Sequence, residues 1–526
     1  MRPGLTRTTN LGHLLTQIAC RFPDRPALIR GERVTSWAAL DERVDAAVRG
    51  LRRLGIAKGE RILVHMRNGQ AMVETMFAAF KLGAVWVPTN VRLTAPEVAY
   101  LAASSRAVAM VSDDVFPDHV DAARAASPAL SHVLVDGVPR VGETSWPALI
   151  DGGAEPDGLS REEAVDRDDP LWFFYTSGTT GRPKAAVLTH GQMTFVVTNH
   201  LADLLPGTTE EDVSLVVAPL SHGAGIHLLT QVARGAASVL LAGERLDPEE
   251  AWGLVARHRV SNMFTVPTIL KRLIEHEAVD RHGHASLRHV IYAGAPMYRE
   301  DQRRALVKLG KVIVQYFGLG EVTGNITVLP PSWHDEDDAL MPVGSCGFPR
   351  TGMQVAILGK DGQELAPGET GEIAVRGPAV FAGYFENHAA NEAAFAGGWF
   401  HTGDLGHLDA RGLLHITGRQ SDMYISGGSN VYPREIEELL LTQPGVAEAA
   451  VVGVADDTWG EAGIAVVVPE QGASLSPEAV LAALAGRLAR YKHPRRILVW
   501  EELPKSGYGK VPKALIRQRL AERGEI

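Results

Sequence analysis

Between residues 27 and 329, short apolar runs of strand length alternate with segments of helical periodicity. This alternation constrains the fold more than any other feature of the chain. Arg61–His65 and the runs at 108–111, 132–135, 213–218, 237–241, 263–266, 289–293 and 312–317 read as strands, and 72–82 reads as a helix. Strands separated by helices predict a parallel sheet with helices on both faces. A region this long exceeds what one core supports, so it predicts two packed, doubly wound subdomains.

The texture changes twice towards the C-terminus. Over 342–419, short strands at 353–358, Gly371–Arg376 and 413–417 are punctuated by turns at Asp361-Gly362 and 409–412, which predicts a small β subdomain, a distorted barrel. Beyond it come a helix at 434–443, strands at 449–454 and 464–468, and a helix at 477–490. Ser476 is its N-cap, Pro477 its first residue, and Val480, Leu481, Leu484 and Leu488 its apolar stripe. The α/β chain is thus expected to comprise a large N-terminal domain, 1–420, and a small α+β lid, 421–526.

Charge excludes one class of function. The net charge is −10, whereas nucleic-acid binding draws its affinity from basic patches, so no nucleic-acid partner is expected. No run approaches the ~20 apolar residues of a membrane-spanning helix. Residues 11–20, interrupted by His13, Thr16 and Gln17, read as an amphipathic helix rather than a signal peptide. The only cysteines, Cys20 and Cys346, give neither a disulfide framework nor zinc-ligand spacing. A soluble, cytoplasmic protein is the resulting expectation.

The chemistry concentrates in Leu171-Trp-Phe-Phe-Tyr-Thr-Ser-Gly-Thr-Thr-Gly-Arg-Pro-Lys184, where an apolar strand enters a loop of hydroxyls and glycines that ends at a lysine. Glycines let backbone N–H groups approach an anion, hydroxyls add donors and the lysine adds charge, which makes this a phosphate-binding loop. It is not a Walker A loop: Arg182 and Pro183 separate Gly181 from Lys184, and Ala185 follows the lysine.

This loop resembles that of the adenylate-forming acyl-CoA synthetases, relatives of the luciferases and the peptide-synthetase adenylation domains, and further motifs follow in that family's order. The resemblance implies that Thr176, Ser177, Gly178, Thr179, Thr180, Gly181 and Lys184 bind nucleotide, with Thr176 also counted as catalytic. Gly294-Ala295-Pro296 is similar to the turn against the adenine. Gln315-Tyr-Phe-Gly-Leu-Gly-Glu321 is similar to the Tyr-Gly-x-Thr-Glu motif, which implies that Phe317 and Gly318 border the base and that Glu321 holds Mg²⁺. The sequence departs from the family at Gly320, where a threonine hydroxyl would serve the α-phosphate, a contact worth roughly 1.5–3 kcal/mol; Thr323 or a water is available to replace it. By the same resemblance Asp404 grips the ribose, and Arg419 reaches the ribose or a phosphate. Ser421 is the hinge in place of the usual Asp or Lys, and Gly427, Gly428 and Lys492 contact coenzyme A. Lys510, in Leu503-Pro-Lys-Ser-Gly-Tyr-Gly-Lys510, is the catalytic lysine of the lid. His401, beside the Thr-Gly-Asp motif, is read as structural.

The family's acid pocket maps onto 219–225, 264–267, 292–295 and Leu319, with His222, Gly223, Thr265, Tyr292 and Leu319 as candidate substrate contacts. These stretches hold no Lys or Arg, so a second carboxylate would be buried unpaired, which disfavours malonate-like diacids. The function implied is that of an acyl-CoA synthetase converting a medium-chain or aryl monocarboxylate, with Mg-ATP and coenzyme A, through an acyl-adenylate to a thioester. Three alternatives stay open: a stand-alone adenylation enzyme loading a carrier protein, a luciferase-like oxygenase, and a nucleotide-binding sensor impaired in catalysis. The partners implied are the acid, ATP and coenzyme A, with homodimerisation left open. His276, His282, His284 and His289 suggest a metal set but read as a solvated loop lacking carboxylate partners, and Gly223-Ala-Gly225 is only a fragment of a dinucleotide fingerprint.

Overall fold

Arg61–His65 is the central strand of the first sheet in the computed structural model, which describes residues 9–152, 162–176, 182–243, 245–295, 297–341, 344–426, 429–456, 458–485, 487–505 and 511–526. That sheet has seven strands, in the order Thr144–Ser145, His132–Asp136, Ala109–Asp113, Arg61–His65, Val85–Pro88, Pro170–Thr176 and Lys184–Thr189. All neighbours are parallel except the last pair, an antiparallel hairpin. A second sheet has nine strands: Phe348–Pro349, Thr327–Leu329, Ile313–Phe317, His289–Tyr292, Asn262–Thr265, Val213–Val216, Ala237–Leu240, Pro26–Arg30 and Arg33–Ser36. Its centre is parallel and its edges antiparallel.

The period-2 alternation of each strand sorts its side chains into separate cores. Ile62, Val64, Val216, Ile291 and Val314 enter one large core shared by both sheets. Their neighbours Leu215, Val290 and Ile313 face a second core on the outer side of the nine-stranded sheet, and Leu63 faces a third, outside the seven-stranded sheet. Helix Gln70–Leu82 carries apolar residues around nearly its whole circumference and is buried along almost its full length, as a helix enclosed in the shared core must be. It stops at Gly83, whose φ of +69° is a left-handed cap that suits glycine.

The β subdomain is an antiparallel meander of Gln354–Leu358, Gly371–Arg376, Phe400–Leu408 and Leu414–Arg419. Its first and last strands are not joined among the described residues, so it is an open sheet where the sequence suggested a small barrel. The C-terminal sheet orders Ser429–Val431, Tyr424–Ser426, Gly460–Pro469 and Val446–Asp456, with Arg496–Val499 parallel to Gly460–Pro469. Helix Pro433–Leu441 ties this unit to the rest: Tyr298 donates to Glu437, and Arg434 to the Ile416 carbonyl. The predicted helix at 477–490 is shorter, Pro477–Ala482, capped as expected by Ser476 accepting from the Ala479 N–H. Leu484 and Leu488 still reach the core, but through turns; the sequence has Gly at 486, a poor helix former.

Candidate active site

The phosphate-loop candidate spans the tip of the Pro170–Thr176/Lys184–Thr189 hairpin. Thr176 and Lys184 are direct cross-strand partners, so the ladder fixes both ends of the loop. Ser177, Gly178, Thr179, Thr180 and Gly181 lie outside the described residues, as do Pro296, Gly427, Gly428 and Lys510.

Glu321 sits on a single turn, Gly320–Val322, that follows strand Ile313–Phe317. It is 5% exposed. Its Oε1 accepts from the Thr176 hydroxyl at 2.8 Å and from the Tyr384 hydroxyl at 3.0 Å. Both donors are neutral, and Glu321 has no basic partner among the described residues. A buried carboxylate of this kind calls for a cation, and its second oxygen fits an oxygen-liganded divalent ion such as Mg²⁺. Lys184 does not supply the charge directly, because its ammonium lies over the Tyr384 ring, 5.0 Å from the centroid. Burial and the neighbouring Glu321 charge push the Tyr384 phenol well above its ordinary range, which keeps it a donor. Tyr384 carries no motif signal; only its position 63 residues beyond Glu321, in a turn packed on Lys184–Thr189, brings it here.

Gly320 has a structural counterpart in Phe174. A Cβ at 320 would lie 2.6 Å from Cδ1 of Phe174 and 2.9 Å from the Thr176 methyl. The Phe174 ring therefore occupies the place of the expected threonine side chain. Thr323 does not replace that hydroxyl, because its own donates to the Val322 carbonyl at 2.6 Å from a buried site. Gly318 is required on packing grounds: a Cβ there would meet the Gly324 backbone at 2.5 Å.

The ribose candidates are cross-strand partners. Asp404 pairs with Arg419 between strands Phe400–Leu408 and Leu414–Arg419, and Arg419 Nε donates to Asp404 Oδ1 at 3.0 Å. Ser421 lies exposed in the turn that follows, where Asp422 and Met423 both donate to the Arg419 carbonyl. His401 is held between Glu372 and the Ala396 carbonyl. Lys492 is bound by both oxygens of Glu435.

The acid-pocket candidates divide. His222 tilts against Phe174 with ring centroids 4.6 Å apart, and Phe174 in turn abuts Gly320. Gly223 leaves no room for a side chain beneath Phe264, whose ring stacks on Tyr316 at 6.0 Å. Leu319 packs against the same core. Thr265 is fully buried and its hydroxyl donates to the Ile291 carbonyl. Tyr292 is a correction. It faces the second core, and its hydroxyl bonds with Gln302 and His334, because strand alternation turns it away from the face of Ile291 and Ala293. The histidine group is also corrected in part: His282 does meet a carboxylate, Glu249, at 2.8 Å, and His289 is buried in a strand rather than on a loop.

Sequence reasoning also missed a buried polar group behind the aromatic pair. Arg350, 1% exposed, places Nη2 3.3 Å from His200 Nδ1, and the His200 ring meets Tyr316 edge-on at 6.1 Å. A lone Arg in a Pro-Arg-Thr-Gly turn gives no signal of burial.

The family described as AMP-binding enzyme matches residues 15–385, and its C-terminal domain matches residues 435–510. A feruloyl-CoA synthase of an Amycolatopsis species is 36% identical over 516 residues, covering 98% of this chain and all of that protein. An indoleacetate–CoA ligase of Aromatoleum aromaticum is 34% identical over 501 residues, 95% of this chain and 96% of that protein. The o-succinylbenzoate CoA synthetase of Bacillus subtilis, solved with its acyl-adenylate intermediate, superposes with a TM-score of 0.84 at 30% identity, covering 98% of this chain and 99% of that one. With both domains matched and relatives aligned end to end, the chain belongs to the AMP-binding enzymes, the adenylate-forming superfamily.

Proposed function

We propose that this AMP-forming acid–CoA ligase activates an aromatic monocarboxylic acid. The observation that carries the reading is the aromatic wall made by Phe174, His222, Phe264 and Tyr316, which meets the Glu321 turn at Gly320. Flat rings in contact suit an aryl group, which gains both buried area and ring geometry there. The relatives named for feruloyl and indoleacetate thioesters support the same class.

In the first step, a carboxylate oxygen of the acid attacks the α-phosphorus of ATP, the bond to the bridging oxygen breaks, and pyrophosphate leaves. In the second, the thiol of coenzyme A attacks the acyl carbon and AMP departs. Thr176, Lys184 and the hydroxyl-rich loop bind the phosphates, and Asp404 with Arg419 holds the ribose. Glu321, fixed by Thr176 and Tyr384, would hold Mg²⁺, which supplies charge neutralisation to the phosphates when bound. Lys510 serves the first step, and Gly427, Gly428 and Lys492 receive coenzyme A in the second. Positioning and charge carry the catalysis.

The test is pyrophosphate release and coenzyme A consumption against a panel of free acids. Aryl acids should exceed straight-chain acids of similar size, with malonate and succinate lowest. Preferential turnover of alkanoates or short diacids would overturn the reading.

A further inference from the structure

The polar group behind Tyr316 lacks partners it should have. Arg350 is fully buried, yet neither its Nε nor its Nη1 has a hydrogen-bond partner among the described residues. Its Nη2 approaches His200 Nδ1, but that same nitrogen lies 3.0 Å from the Val196 carbonyl. One ring nitrogen cannot both donate to Val196 and accept from Arg350. Asp203 is the carboxylate that acts on Arg350, and its oxygens are already taken by Asn199, the Thr351 N–H and the Thr351 hydroxyl. Burial holds His200 well below its ordinary pKa, so the ring is neutral and does not compete as a cation. Asn325, 0% exposed, interacts weakly with His200, and neither its amide oxygen nor its amide nitrogen has another partner among the described residues.

These groups adjoin the acid wall. Gly324, the residue before Asn325, packs its backbone on the Tyr316 ring, where a Cβ would lie 2.3 Å from Cε2. The Arg350 N–H donates to the Ile326 carbonyl at 3.0 Å, tying the arginine turn to the same segment. Phe264 stacks on Tyr316, and the Tyr316 ring in turn meets His200 edge-on, so the cluster lies one ring away from the acid wall. A buried guanidinium short of acceptors is costly, and an acceptor oxygen brought by a ligand relieves that cost.

We infer that Arg350 and Asn325, with His200 behind them, form a distal subsite that reads a second oxygen substituent at the far end of the aromatic acid, a phenolic or carbonyl oxygen. The inference rests on the acid pocket proposed above and names its substrate class more closely. Malonate and succinate remain excluded, because they are too short to span from the reacting carboxylate past two aromatic rings.

The test compares matched pairs of aryl acids, with and without an oxygen at the position opposite the carboxylate-bearing chain, by kcat/KM for pyrophosphate release. The wild-type enzyme should favour the oxygenated member by roughly 10–100-fold, the worth of one or two buried hydrogen bonds. Arg350→Met and, as a smaller change, Asn325→Ala should erase most of that ratio by lowering kcat/KM for the oxygenated member far more than for the unsubstituted one. Equal loss for both members would assign the cluster to packing alone and overturn the inference. Turnover of aryl acids without discrimination by the wild type would overturn it and leave the aromatic reading standing. No turnover of any aryl acid would overturn both.

Discussion

Thr176 and Glu321, 145 residues apart in the chain, share a hydrogen bond of 2.8 Å. That bond joins the end of a hairpin strand in one sheet to a turn at the end of a strand in the other. The strand that enters the phosphate-loop candidate and the acidic turn are thereby set by two rigid elements, an arrangement that suits a reaction governed by positioning.

Tyr384 completes this junction, and its removal should be costly. Tyr384→Phe keeps the ring beneath Lys184 and deletes only the donor to Glu321. A hydrogen bond to a charged group is worth roughly 1.5–3 kcal/mol, or about 10–100-fold in rate. Pyrophosphate release should fall by that factor, with thermal stability little changed. An unaltered rate would separate Tyr384 from the reaction.

Gly320→Thr should not improve the enzyme, although it restores the family's residue. The added side chain collides with Phe174, and overpacking of this kind costs roughly 1–3 kcal/mol. Adenylation and melting temperature should both drop. Phe174→Leu combined with Gly320→Thr should recover both, because the two positions share one volume. Additive losses in the double variant would show that they do not.

Lys510→Ala should abolish acyl-adenylate formation, by roughly 10²–10³ in rate, the usual loss when a positioned charge is removed from a transition state. Thioester formation from pre-made acyl-adenylate and coenzyme A should survive. Single-turnover measurement of each half-reaction checks this; equal loss in both would give the lysine a purely structural part.

Burial pushes the Asp113 carboxyl up to about 6. The folded protein then holds a proton that the unfolded chain has already released between about pH 4 and 6. This carboxyl's contribution to stability is therefore present at low pH and is lost as pH rises through that window. Asp113→Asn keeps an acceptor for the Arg67 N–H, now 2.9 Å from the carboxylate. It should raise the melting temperature by about 1–4 °C at pH 7.5, with the gain shrinking toward pH 4. A gain independent of pH would place the effect elsewhere.

The sequence disclosed the parallel core because strands buried on both faces are written as plain apolar runs, as in Arg61–His65 and His289–Tyr292. It concealed Phe400–Leu408, whose glycines, histidines and aspartate have little strand propensity and are held by partners on both sides. The site shows the same division. Thr176, Glu321, Asp404 and Arg419 stand within local motifs, so the sequence offers them as candidates directly. Phe174, Tyr384, Arg350 and Asn325 matter through neighbours distant in the chain, which local patterns do not record. Tyr292 was misplaced by one step of strand parity, since adjacent residues there belong to different cores.

The cross-strand pairing of Thr176 with Lys184 limits how this segment can vary over evolutionary time. An insertion or deletion within either strand of the hairpin must be absorbed by slipping one strand past the other, and a slip of one residue reverses the facing of every side chain along it. Lys184 would then turn from the Tyr384 ring, or Thr176 from Glu321. New specificities in a descendant of this enzyme are therefore more accessible through the aromatic wall and the residues behind it, where a change of side chain leaves the ladder in register.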